Sequence, residues 1–128
     1  MSFVLSSRSV ERLSGVHPML QRVVHSAILD TKVDFAVLEG RRSLVRQQEL
    51  FRAGASQTLR SRHLSGHAVD LGAWVSGGIR WDWPLYHKIA AAMCMAAKEH
   101  QVDLHWGGHW NSFPDGPHFE LSWQGYPL

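Results

Sequence analysis

Two segments of this 128-residue chain concentrate side chains that can do chemistry. The first is Ser61–Gly72, SRHLSGHAVDLG, with His63 and Asp70 seven residues apart. On one helix that spacing would separate them by about 10 Å along the axis, too far to share an ion. With His63 on a loop and Asp70 on a strand, convergence is easy. Strand alternation puts Ala68, Asp70 and Gly72 on one face and Val69, Leu71 and Ala73 on the other. The acid then lies between two very small side chains, which leaves room beside it. Pairing of Asp70 with one of the arginines is the competing use of that carboxylate. The second segment is Trp106–Leu121, WGGHWNSFPDGPHFEL. There His118 and Glu120 share one strand face, while Phe119 and Leu121 read as core. Asp115 sits in a turn set by Pro114, Gly116 and Pro117. Two histidines and one carboxylate with a position left for water form a common catalytic zinc set. A fourth group acting as base completes a hydrolytic site.

Other histidines compete for such a role. His63/His67 and His105/His109 are each four apart, but Gly66 and Gly107–Gly108 interrupt both pairs, so neither reads as a helical metal pair. There is no HExxH. His67 is expected to line a cleft; His17, His25, His87 and His100 fall on helices or their ends and read as structural or exposed. Trp106 and Trp110, beside glycines, are the expected cleft walls.

The elements that must position these groups follow from periodicity and caps. Ser7–Ser14 reads as a short helix with Ser7 as N-cap, and Gly15–Pro18 as a turn. Leu20, Val23, Val24 and Ile28 mark an amphipathic helix ending near Leu29. Asp34–Gly40 reads as a strand. Ser43 caps a helix that runs to about Arg52 and stops at Gly54. A polar loop over Gln57–Gly66 leads to a strand Ala68–Val75 and a Gly77–Gly78 turn. Pro84 opens a helix to about His100, with the AAAMCMAA stretch, Cys94 included, on its buried face. Strands over Val102–Trp106 and His118–Leu121 flank a loop at Gly107–Gly116. The pattern predicts one α+β domain over residues 1–128, with a small, mainly antiparallel sheet packed with helices.

Composition limits what such a domain does. One cysteine excludes an internal disulfide framework, a multi-cysteine zinc finger and an iron–sulfur cluster. Nine histidines point to imidazole and carboxylate ligands. The net charge is +2, with arginines gathered at Arg41, Arg42, Arg46, Arg52, Arg60 and Arg62. That is either a solvated basic face or an attraction to an anionic polymer, nucleic acid or cell wall. The N-terminal residues do not read as a signal peptide, and no stretch approaches the 18–20 apolar residues of a membrane span. The expectation is therefore synthesis in the cytoplasm, no membrane association, and export or release by other means.

The two segments together resemble a known family. Ser61-x-His63-x-x-Gly66-x-Ala68-x-Asp70 matches S-x-H-x-x-G-x-A-x-D, and Asp115-x-x-His118 matches [DE]-x-x-H. This is the signature of the zinc D-Ala-D-Ala carboxypeptidase family (VanX/VanY-like), which includes the L-alanyl-D-glutamate endopeptidases used as endolysins by tailed phages. The layout extends over the whole chain, through EGRRS and the WGG before the last histidine. The resemblance implies the hedgehog/D-Ala-D-Ala peptidase-like fold. It implies one Zn²⁺ per chain held by His63, Asp70 and His118, with Asp115 as general base. It implies a substrate or oxyanion contact by Arg42, the matching position in G-x-R-S, although Arg41 stands where many relatives have tyrosine. Ser61, a motif residue, is expected at the substrate peptide, with Trp106 as a further substrate contact. Aspartate rather than glutamate as base resembles the phage endopeptidases. The compact form without a leader or wall-binding module resembles endolysins of phages that infect Gram-negative hosts.

The resemblance implies a monomer acting on bacterial peptidoglycan in the periplasm after release, with no nucleic-acid partner. In that mechanism the metal acidifies water toward a pKa of about 7, and Asp115 takes its proton and passes it to the leaving amine. Two alternatives share the fold: a D-Ala-D-Ala carboxypeptidase or dipeptidase of wall remodelling, and a non-catalytic zinc-binding module, against which the retained Asp115 argues. A basic nucleic-acid binder is the remaining, weaker alternative.

Overall fold

The structure is a computed structural model that describes residues 2–56, 58 and 60–128. Helices α1 (Ser7–Leu13) and α2 (Pro18–Asp30) precede strand β1 (Phe35–Glu39) and helix α3 (Leu44–Arg52). A 3-10 turn at Arg62–Ser65 leads into β2 (Ala68–Val75), β3 (Gly78–Arg80) and the long helix α4 (Trp83–Glu99). Strand β4 (Leu104–Trp106), a second 3-10 turn at Gly107–His109 and β5 (His118–Leu121) follow. The sheet order is β1-β2-β5-β4, with β3 paired to β2, and every pairing is antiparallel. The architecture is the expected α+β one.

Burial explains the elements. Leu20, Val23, Val24, Ala27 and Ile28 form the buried stripe of α2, which packs against α4. On the sheet, Val69, Leu71, Ala73, Phe119 and Leu121 are buried and join the same core. Each buried Val, Leu, Ile or Phe among them contributes about 1.5–3 kcal/mol of transfer free energy. The opposite face of β2 and β5 carries Asp70, His118 and Glu120, and the site lies there.

Several local expectations change. Ser6, not Ser7, caps α1: its Oγ accepts from the Ser9 amide at 3.1 Å. Ser43 does cap α3, accepting from the Arg46 amide. Of the AAAMCMAA stretch, Ala90, Met93, Ala96 and Ala97 are buried, but Met95 is 62% exposed and Cys94 is exposed too. A helix turns about 100° per residue, so Met95 falls opposite the stripe formed by Tyr86, Ile89, Ala90, Met93 and Ala97, and Cys94 lies at its flank, about 40° beyond Ala90. The polar loop before β2 contains the Arg62–Ser65 turn, while Gln57 and Leu59 of that loop lie outside the described residues. The turn closes on Gly66 at φ +77°, where its missing side chain lets it press against the backbone of Gly15. Strand β4 starts at Leu104 rather than Val102, and β3 was not expected. The space beside Gly72 is filled by the side chains of Leu38 and Ile79.

Candidate metal centre

Three elements meet at one carboxylate. β2 and β5 pair in a register that sets Asp70 opposite His118. His63 arrives from the 3-10 turn, whose start is capped by Ser61 Oγ accepting from the His63 amide at 3.2 Å. Asp70 Oδ1 lies 3.2 Å from His63 Nε2 and 3.2 Å from His118 Nδ1. One ligand atom from each of the three residues falls within 4.8 Å of the others. His63 is 1% exposed and His118 4% exposed.

The far nitrogen of each imidazole is held from behind. His63 Nδ1 donates to the Gly40 carbonyl at 2.8 Å, and His118 Nε2 donates to Glu120 Oε1 at 2.7 Å. With a metal bound, this would assign the protons to those nitrogens and leave Nε2 of His63 and Nδ1 of His118 as lone-pair donors toward the ion beside Asp70. Imidazoles that ligate a metal are commonly fixed this way, by a carbonyl on one and a carboxylate on another. Two neutral nitrogens, one carboxylate oxygen and an adjoining cleft suit a borderline cation such as Zn²⁺.

In the metal-free chain the same contacts polarise the cluster. Burial pushes the Asp70 carboxyl up, but the bonds from His118 and His63 outweigh it and hold Asp70 well below the usual carboxylate range. Burial pulls His118 down, but Asp70 and Glu120 outweigh it and push His118 up to about 9. Asp115 is raised, chiefly by burial and then by the charge of Asp70, with His118, His63 and Arg42 opposing.

Asp115 lines the same cleft, of about 480 Å³, as the three ligand candidates. Its turn is pinned at both ends: the Asp115 amide donates to the Gly107 carbonyl at 2.9 Å, and the His118 amide donates to the Asp115 carbonyl at 3.3 Å. A Cβ on Gly107 would fall 2.5 Å from the Asp115 carbonyl oxygen, so glycine is needed for that approach. Trp106, expected at the cleft wall, is instead 4% exposed in the core, where its indole N–H donates to the Gly116 carbonyl at 2.7 Å. It anchors the Asp115 turn from beneath. Trp110 stands in the cleft, its ring 4.9 Å from that of His118.

Arg42 reaches the cluster with its guanidinium already engaged. Nε and Nη2 form a two-pronged pair with Glu39 at 2.6 and 2.7 Å, Nη1 donates to Gln47, and Nη2 is 3.7 Å from Asp70 Oδ2. An irregularity in the β1–β2 register sets Glu39 opposite Asp70. The two uses weighed for Asp70, histidine cluster and arginine partner, thus coexist. His67 turns away from the cleft, its Nδ1 2.6 Å from Ser65 Oγ and its ring tilted 42° to that of His17 at 5.3 Å. His105 and His109 are exposed and outside the cluster.

Three contributors escape a reading by motif: Glu120, Glu39 and Gln47. Only Glu120 had a visible signal, its place two residues after His118 on the same strand face.

The fold and site define a small α+β protein with a His–Asp–His cluster at an open cleft. Its sequence matches the family model described as phage L-alanyl-D-glutamate peptidase over residues 1–122, and the chain belongs to that family. It is 29% identical over 119 residues to the L-alanyl-D-glutamate peptidase of Escherichia phage T5, covering 90% of this chain and 87% of that one. It is 33% identical over 94 residues to the L-alanyl-D-glutamate peptidase of Listeria phage A118, covering 73% of this chain and 32% of the longer protein. Among solved structures it resembles the Serratia marcescens L-Ala D-Glu endopeptidase ChiX, with a TM-score of 0.92 and 49% identity, covering 98% of this chain and 95% of the other.

Proposed function

We propose that the protein is a zinc-dependent peptidoglycan endopeptidase, an endolysin that hydrolyses the L-alanyl-D-glutamate bond of the stem peptide. The observation that carries this is a buried, pre-oriented His63–Asp70–His118 cluster sharing one cleft with Asp115. The family match and the activity for which the relatives are named supply the bond. The filled S-x-H-x-x-G-x-A-x-D pattern supports a wider kinship with the zinc D-Ala-D-Ala carboxypeptidases (VanX/VanY-like).

His63, Asp70 and His118 would hold one Zn²⁺ per chain. When bound, zinc supplies a Lewis acid that polarises the peptide carbonyl and acidifies water. Asp115 Oδ takes a proton from the attacking water and returns it to the departing glutamyl amine. The products are a new alanyl carboxylate and a free amine. Gly40 and Glu120 keep both imidazoles in the ligating tautomer. Ser61 orients the His63 backbone, and Arg42, spent on Glu39 and Gln47, steadies Asp70 rather than reaching for substrate. Trp110 forms a wall against which the peptide packs, and Trp106 supports the floor.

Among the described residues no helix is long and apolar enough to cross a membrane. The proposed place of action is the periplasmic wall after release from the cytoplasm, as a monomer over one catalytic domain, residues 1–128. Mass spectrometry of digests of purified Gram-negative sacculi tests the reading. Fragments newly ending in L-alanine, abolished by a chelator and restored by zinc, are expected. Release of free D-alanine would move the protein to the carboxypeptidase branch, and intact sacculi with zinc present would leave a non-catalytic module.

A further inference from the structure

The cleft poses an electrostatic problem. Glu39, Asp70, Asp115 and Glu120 all line it, yet the bond assigned above ends in glutamate. A glutamyl residue joined through its amine carries two carboxyls, and chain continuation consumes at most one. At least one carboxylate therefore enters next to the scissile bond, beside four acids. A cation with open donors is needed to receive it.

Three arginines line the cleft. The donors of Arg42 are taken by Glu39 and Gln47. Arg62 is 2% exposed and donates through Nε and Nη2 to the carbonyls of Leu121, Ser122 and Tyr126, and its Nη1 is buried without a partner among the described residues, out of reach of a two-point contact from solvent. Arg60 is exposed, and its guanidinium has no hydrogen-bond or ion-pair partner among the described residues. It is held in place all the same: its backbone amide donates to Thr58 Oγ1 at 2.9 Å, and its guanidinium carbon lies 5.9 Å from the centroid of the Trp123 ring. Arg62 stacks on that ring at 4.2 Å. A guanidinium steadied on an aromatic surface keeps its planar fork free for two-point recognition of a carboxylate.

We propose that Arg60, steadied by Trp123, is a specificity-determining residue that binds the free carboxylate of the substrate's glutamyl residue. Arg62 adds buried positive charge beside it. The proposal rests on the endopeptidase reading. It assigns substrate recognition to a residue outside the His–Asp–His motif and distinct from Arg42.

The test uses two synthetic stem peptides, one with the free glutamyl carboxylate and one with the same group as an uncharged carboxamide. For the zinc-loaded wild type, kcat/KM should favour the carboxylate by about 10- to 100-fold, the range of a charge-assisted hydrogen bond. In Arg60→Met that ratio should fall toward one with zinc content unchanged, the loss appearing mainly in KM, and Arg60→Lys should recover part of the preference. Equal turnover of both peptides by the wild type overturns the proposal, as does an Arg60→Met protein that keeps the wild-type ratio. A wild type that cleaves other wall bonds but neither peptide overturns the endopeptidase reading, and this proposal with it.

Discussion

The floor of the cleft and its rim are built on opposite terms. On the floor, His63 and His118 are almost fully buried, and each has its second nitrogen bonded to a fixed acceptor. Asp70 is braced by both imidazoles and by Arg42. On the rim, Trp110, Phe113 and Trp123 are 39%, 47% and 43% exposed, and the Arg60 guanidinium has no polar partner among the described residues. The contrast follows from what each part must do. A cluster proposed to hold a metal has to keep its geometry to a fraction of an ångström before anything binds, and the supports of this one come from the sheet and from short capped turns. A surface that receives a peptide from a polymer must be reachable from solvent and keeps its donors unspent.

The largest test of that contrast separates holding the metal from moving the proton. His63→Ala should lose zinc and activity together. Asp115→Ala should keep zinc, measured by atomic absorption, and lose about 10²- to 10⁴-fold in kcat. Full activity in a zinc-free variant would sink the assignment of the floor. A smaller effect is expected behind the ligands. Glu120→Ala should weaken zinc affinity or activity by about 10- to 100-fold, because His118 Nε2 loses its acceptor. Glu120→Gln, whose amide oxygen can still accept, should restore much of it, and equal losses in both variants would show that charge rather than tautomer control matters.

The smallest effect concerns the metal-free protein. Asp70 is held below its ordinary value of 3.8, so its contribution to stability is present above that pH and is lost as pH falls. His118 is raised from 6.5 to about 9, so its contribution is complete below 6.5 and is lost as pH rises through 9. The cluster therefore stabilises the metal-free fold most between about pH 4 and 6.5. Thermal denaturation in a chelator should show Tm falling by about 5 °C between pH 6 and 9.5, with a shallower slope in His118→Gln. A wild-type slope no steeper than the variant's would remove His118 from the account.

Much of the floor was legible before any coordinates. Period-two alternation in β2 and β5 put Asp70 and His118 on the face away from the core, and Ser61, Gly66 and Ala68 completed a motif around His63. Alternation is a property of the backbone, so neighbours along the chain reveal it. The rim was less legible. Trp106 and Trp110 have the same type and glycines nearby, yet one is the buried anchor of the Asp115 turn and the other faces the cleft. Cys94 and Met95 lie among buried alanines in sequence but rotate out of the packed stripe of α4.

Residue types and local periodicity by themselves determined the α+β class and the strand faces, and the motif resemblance singled out His63, Asp70, Asp115 and His118. Only the tertiary structure decided what stands behind those residues. The Gly40 carbonyl reaches His63 across 23 positions. The register irregularity in β1 sets Glu39, the partner of Arg42, opposite Asp70. Arg42 is thereby spent and Arg60 left open. Such choices depend on which distant segments compete for the same donors, and that competition exists only once the chain has closed on itself.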